Sequence, residues 1–196
     1  MSNLFNKLEI EAFRAGITPR TQESRKWFMN KIKNMRSINR EQLMKTDPLQ
    51  PKGSEVIGSM YMFFYDPKHK DTLPYYDAFP LVVVIGPAEG GFLGLNLHYL
   101  PPALRAKLLD GLMDITTDKK FTNSTRFKAS YKLLAASAKL KYFKPCVKHY
   151  LNTHVRGQFA LVPAPEWEIA TFLPTADFRK ANNFKVYSDS KRMING

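Results

Sequence analysis

Between Val56 and Tyr99 the chain carries three short apolar runs with β-type patterning, each closed by a tight turn. Met60, Met62 and Phe64 alternate with Tyr61, Phe63 and Tyr65, so this strand is apolar on both faces. Asp66-Pro-Lys-His-Lys-Asp71 is a charged turn. Phe79 to Ile85 is a continuous run rich in β-branched residues, the pattern of a buried strand. Gly86 to Gly91 reads as a turn, and Phe92 to Tyr99 alternates again. Three short strands cannot close a core on their own. The fold must recruit others, and Phe159–Val162 and Ile169–Leu173 have the composition for it, with Pro163 and Pro165 between them. Five short strands in a meander predict an α+β chain built on a small, partly open β-barrel of the SH3-like type.

The remaining segments read as helix. Leu4, Leu8 and Ala12 share one stripe with Phe5 beside it, and Gly16 and Pro19 stop that helix. Arg25 to Met35 is a second, basic amphipathic stretch with Trp27, Phe28 and Ile32 apolar, and Ile38 to Met44 is a further turn. Thr46 to Gly53 holds two prolines and a glycine and reads as a linker. Residues 1–53 are therefore expected to form a basic N-terminal helical arm and linker. Either it orders only against a partner or it packs on the main domain through Trp27 and Phe28. Residues 54–196 are expected to form the barrel domain, with a helical insertion at about 101–156. Pro101-Pro102 opens a helix with Leu104, Leu108, Leu109 and Leu112 on its apolar face. Ser124 or Thr125 caps a second, striped by Phe127, Tyr131, Leu134 and Ala138. Pro145 begins a third, through Val147 and Tyr150.

Charge follows the same segmentation. The chain carries +13 overall, from 30 Lys+Arg against 17 Asp+Glu. Residues 1–53 hold +6 and residues 101–156 hold +9, whereas residues 54–100 hold −3. A weakly acidic aromatic module lies between two basic segments, a distribution that attracts polyanions and releases their counterions. The candidate DNA contacts are Arg25, Lys31 and Lys33 in the arm, and Lys128, Lys132, Lys139, Lys141, Lys144, Lys148 and Arg156 in the insertion. In Lys139–Tyr150 the lysines alternate with Tyr142, Phe143 and Tyr150, which offers phosphate contacts beside rings that stack on bases. The alternative is a buried aromatic stripe under a solvated lysine face. No base-reading motif is present, so binding is expected to be sequence-independent and steeply salt-dependent. Leu73-Pro-Tyr-Tyr-Asp-Ala-Phe-Pro80 is rigid and aromatic, and Tyr75, Tyr76 and Phe79 are candidates for a protein-docking face or for a loop over one barrel opening.

Other chemistries find little support. Cys146, His149 and His154 give three zinc-type ligands without a fourth. Asp66, Asp71, Asp77, Glu89 and His98 could assemble a metal-dependent nuclease site, but these acids fall largely in turns. The glycines of 86–91 lack the Lys-Ser/Thr ending of a phosphate loop. No catalytic residue, metal or cofactor is expected. A single cysteine forms no internal disulfide, no apolar run reaches the ~20 residues of a membrane span, and Met1–Ile10 is not a secretory signal.

Two longer runs carry a resemblance. Gly58-Ser-Met-Tyr-Met-Phe-Phe-Tyr-Asp-Pro-Lys-His-Lys-Asp-Thr-Leu-Pro-Tyr-Tyr-Asp-Ala-Phe-Pro-Leu81 is one. Gly91-Phe-Leu-Gly-Leu-Asn-Leu-His-Tyr-Leu-Pro-Pro102, followed by Arg105 and Leu108-Leu109, is the other. Together they resemble virion proteins of large contractile-tailed bacteriophages, and most of all the DNA end protector, or head completion, proteins. The similarity runs from about Trp27 to Arg179. It implies a non-catalytic protein added to the filled head near the portal or neck, beside other virion proteins, and bound to the ends of packaged double-stranded DNA. Such a protein enters the host cytoplasm with the genome and shields its ends from exonuclease. A purely structural neck, tail or baseplate component is the competing expectation, and a metal-dependent nuclease is the second.

Overall fold

The computed structural model describes residues 3–33, 35, 38–46, 49–117, 132, 136 and 143–196. Its centre is a six-stranded antiparallel sheet of β1 (Leu49–Gln50), β2 (Met60–Tyr65), β4 (Leu81–Ala88), β5 (Gly91–Asn96), β6 (Val147–Leu151) and β7 (Val155–Val162). The strand order is β1-β7-β2-β4-β5-β6. β3 (Tyr76–Asp77) and β8 (Phe178–Arg179) form a separate two-stranded ribbon.

The two-sided pattern of β2 divides the interior. Tyr61, Phe63 and Tyr65 join Val82, Val84, Phe92, Tyr150, Val155 and Phe159 in one buried cluster. All nine come from strands of this one sheet, which therefore covers its own inner face. Flat geometry would place β5 and β7, three strand spacings apart, roughly 14 Å from each other. Yet the Phe92 and Phe159 rings lie 5.8 Å apart, and Tyr65 of β2 lies 4.9 Å from Tyr150 of β6. The sheet is strongly curled. It is also open: β1 and β6 are its edges, and they do not pair.

Met60 and Met62 point to the outer face, where the helices pack. These are α1 (Asn3–Arg14), α2 (Gln22–Lys33), α3 (Arg40–Thr46), α4 (Pro102–Thr117), α5 (Trp167–Phe172) and α6 (Asn183–Asn195). Phe5, Leu8 and Ala12 of α1, Phe28 and Ile32 of α2, and Leu43 of α3 lie in the same cluster as Leu81, Val83 and Trp167. Thr21 caps α2: its hydroxyl accepts from the Ser24 amide, and the Ser24 hydroxyl accepts from the Thr21 amide, both at 3.0 Å. The turn before it is tied to α5, where the Glu168 carboxylate accepts from the Ser24 hydroxyl at 2.6 Å and from the Arg20 amide at 3.0 Å.

Several segments differ from the sequence expectation. Leu49–Gln50 of the expected linker pairs as β1, and Gly86–Ala88 of the expected turn extends β4. Leu97–Tyr99 of the expected third strand is a single 3-10 turn. Two later segments change type. Val147–Leu151, expected as helix, is edge strand β6, paired with β5 from Leu95↔Val147 to Gly91↔Leu151. Tyr150 turns into the aromatic cluster and Lys148, two residues before it on the same face, is half-buried, while His149 between them is exposed, a two-residue alternation that the short basic run hides. Ile169–Leu173, expected as strand, lies mostly within α5. A short apolar run carries no periodicity able to separate a buried helix from a buried strand. Here Trp167, anchored through Nε1 to the Val162 carbonyl at 2.9 Å, starts the turn. The five-strand meander is thereby replaced by six strands in a non-sequential order. The expected helix around 124–138 lies almost wholly outside the described residues.

Candidate nucleic-acid interface

The basic side chains divide into engaged and unengaged. Lys31 donates to Glu11 at 3.0 Å, with its Nζ 5.2 Å from the Trp27 ring centre. Arg25 pairs with Asp110, and Arg156 donates to Asp66 at 2.7 Å. Solvent-accessible pairs of this kind contribute about 0–1 kcal/mol, so a phosphate can displace the acid, most readily from the exposed Lys31 and Arg156. Lys33 and Lys144 are exposed and carry no ion pair among the described residues. Lys132 is exposed, while Lys128, Lys139 and Lys141 lie outside the described residues. Lys26 and Lys107, not singled out from sequence, are exposed on α2 and α4.

Lys148 is placed differently. Its ammonium sits 4.1 Å over the Tyr99 ring, in the wall of a cavity of about 500 Å³. Tyr65, Tyr75, Tyr76, Tyr99 and Tyr150 supply most of the aromatic lining, and Lys68, His69 and His149 are exposed lining residues. Of the three docking candidates, Tyr75 and Tyr76 line this cavity half-buried, whereas Phe79 is fully buried, its ring 4.8 Å from Phe64. One wall is the turn after β2, which Lys180 holds by donating to the carbonyls of Lys70, Asp71 and Leu73 at 2.6, 2.9 and 3.2 Å.

Behind the cavity lies a buried polar network. Asp77 accepts four bonds: from the Phe79 and Asp177 amides on Oδ1, and from Asn96 Nδ2 and His98 Nδ1 on Oδ2. The Asp77–His98 contact is 2.6 Å. Since a carboxylate only accepts, Nδ1 of a neutral His98 carries the proton and Nε2 accepts from the Thr175 hydroxyl at 3.0 Å. Burial drives the Asp77 carboxyl up, but His98, Asn96 and the Asp177 amide outweigh it and hold the group below its usual value. Burial likewise pulls His98 below its ordinary 6.5, against the attraction of Asp77. The order Asp–His–Thr has the form of a nucleophile triad, but Thr175 is 1% exposed and His98 and Asp77 are buried with it. The network braces the fold. Arg105 extends it, buried, donating to the Leu100, His98 and Thr171 carbonyls and to the Tyr187 hydroxyl.

The zinc-type ligands do not converge. Cys146 is buried with its thiol directed to the Phe143 carbonyl, and burial pushes its pKa up to about 12. His149 faces the Glu89 carbonyl and His154 the Asp66 carbonyl. Among the described residues no three His, Cys, Asp or Glu side chains are grouped to hold a metal ion, and no helix is long and apolar enough to cross a membrane. The acids weighed for a nuclease are dispersed: Asp66 pairs with Lys70 and Arg156, and Asp77 is sealed in its network.

No curated protein and no solved structure matches the chain. A family model described as phage T4 terminal DNA protecting protein matches residues 3–195, nearly the whole length and both runs that carried the resemblance. The chain belongs to that family, the terminal DNA protecting proteins of phage, whose function is to shield DNA ends.

Proposed function

We propose that this chain protects DNA ends by steric occlusion, as a non-catalytic virion protein whose cations clamp the terminal phosphates. The observation that carries this reading is family membership across residues 3–195 together with a +13 charge. Lys33, Lys132 and Lys144 are the described exposed candidates for the clamp, with Lys31, Arg25 and Arg156 recruited from their carboxylate partners. Lys128, Lys139 and Lys141 complete the set from the sequence. Lys148 belongs to the cavity instead. The curled sheet is, on this reading, an SH3-like barrel left open between β1 and β6. Other virion proteins near the portal or neck hold the protein at the packaged end, and it travels with the DNA into the host cytoplasm.

The test is binding to linear and to covalently closed circular double-stranded DNA at two salt concentrations, with an exonuclease challenge on the linear form. Protection of linear DNA that fades as salt rises is the expected result. Salt-resistant assembly with virion proteins and no DNA affinity would replace this reading with a purely structural one.

A further inference from the structure

The cavity beside β6 combines three features of a ligand site. Its volume, about 500 Å³, falls in the range of small-molecule pockets. Tyr76 is a half-buried wall ring, with no ring partner among the described residues. Lys148 sets a cation against Tyr99, with no carboxylate paired to it among the described residues. Burial lowers the pKa of that ammonium, so an anion beside it would relieve the cost of keeping it charged. Asp77, the one carboxylate among the described lining residues, has both oxygens bound by four other donors and makes no ion pair with Lys148, whose cation is left to the cavity. The wall is also held in place, since Lys180 fastens the turn after β2 and the rings of Tyr75 and Tyr99 pack on Phe178 at 6.4 and 5.2 Å.

We infer that this cavity takes a single nucleotide, its base against Tyr76 and the neighbouring tyrosines and its phosphate on Lys148, with Lys68 and His69 at the rim. Resting on the end-protection reading, the inference assigns that nucleotide to the frayed terminal residue of the DNA. A base inside a duplex must give up two stacks and its neighbours' support to enter, at a cost of a few kcal/mol, whereas a frayed terminal base gives up only one stack. The pocket thus supplies what a basic surface alone lacks, a reason to prefer ends over internal DNA.

Three probes test this on the full chain: deoxyadenosine monophosphate, an open-ended duplex, and the same duplex closed at both ends by hairpins. Lys148→Gln and Tyr76→Leu are the variants, with thermal melting as the check that each folds. The expected result is that wild type binds the mononucleotide and prefers the open duplex. Each variant should lose about tenfold or more on both counts while keeping its salt-dependent affinity for the hairpin-closed duplex. If wild type ignores the mononucleotide and folded variants retain the preference for open ends, the inference is overturned and end protection stands. Mononucleotide binding without any exonuclease protection would uphold the pocket and remove its assignment to DNA ends. A variant that fails to fold is replaced by Tyr76→Phe, which keeps the ring and should keep binding; loss of binding in that folded variant would overturn the stacking role.

Discussion

Ser24 of α2 donates its hydroxyl to the Glu168 carboxylate of α5 at 2.6 Å, across a separation of 144 residues. Both residues are buried. The same carboxylate accepts the Arg20 amide, so one side chain fastens the α1–α2 turn to the C-terminal half. Ser24→Ala leaves a buried carboxylate oxygen short of a donor, which costs roughly 1–3 kcal/mol. Chemical denaturation should show that loss as a lower midpoint, and Glu168→Ala should cost at least as much. An unchanged midpoint in both would mean that the helices hold through their apolar faces alone.

Gly91 pairs with Leu151 across the β5–β6 ladder, and a Cβ at residue 91 would overlap the Tyr150 carbonyl. That obstacle is backbone and cannot rotate away. Gly91→Ala should therefore destabilise by about 3 kcal/mol, at the upper end of ordinary overpacking, and should loosen edge strand β6. Hydrogen exchange of the Val147–Leu151 amides reads the effect directly, and protection equal to wild type would contradict it.

Acid should destabilise the fold in two stages. His98 is held neutral in the native state, with its pKa below the unfolded 6.5. As pH falls below 6.5 the unfolded chain takes up a proton that the native chain resists, and stability declines until the folded pKa is reached. Asp77, also lowered, contributes stability present above its unfolded 3.8 that is lost as pH falls through its folded value. Denaturation midpoints measured across the acid range should show the first decline in wild type and lack it in a folded His98→Gln variant. A slope that survives this substitution would place the titrating group elsewhere.

Arg105 answers three carbonyls and the Tyr187 hydroxyl from a fully buried position. Arg105→Met keeps much of the stem and removes every donor, so those carbonyls lose their partner in the interior. The expected cost is about 3 kcal/mol, visible as a fall in melting temperature. Arg105→Lys should restore only part of it, because one ammonium cannot span the positions that a planar fork reaches.

On the surface, Lys33→Gln and Lys144→Gln should weaken binding to all DNA sequences alike. If both residues contact phosphate, the slope of log affinity against log salt should fall by about 2 in the double variant. A folded double variant with an unaltered slope would move the clamp to other cations.

Alternation along Met60–Tyr65, the β-branched run at Leu81–Ile85 and the presence of a hairpin turn before Phe92 were legible because each strand carries its own pattern and its own breakers, although the turn is only Glu89–Gly90 and Gly86–Ala88 and Gly91 pair as strand. α1, α2 and α4 were legible for the same reason at helical spacing. Net charge and its segmentation, and with them the affinity for polyanions, are additive properties of composition and needed no fold at all. Pairing is not additive. Whether Val147–Leu151 is strand depends on the open edge that β5 offers it, and whether 169–172 is helix depends on the core it must fill. The curl that brings Phe92 to Phe159 is a property of the whole sheet. The meeting of Asp77, His98 and Thr175 in one buried line, and of Tyr76, Tyr99 and Lys148 around one cavity, joins residues that are 21 to 98 apart in the chain. Local pattern chooses elements. Only long-range packing, which must bury every apolar face and satisfy every buried polar group at once, decides which side chains meet.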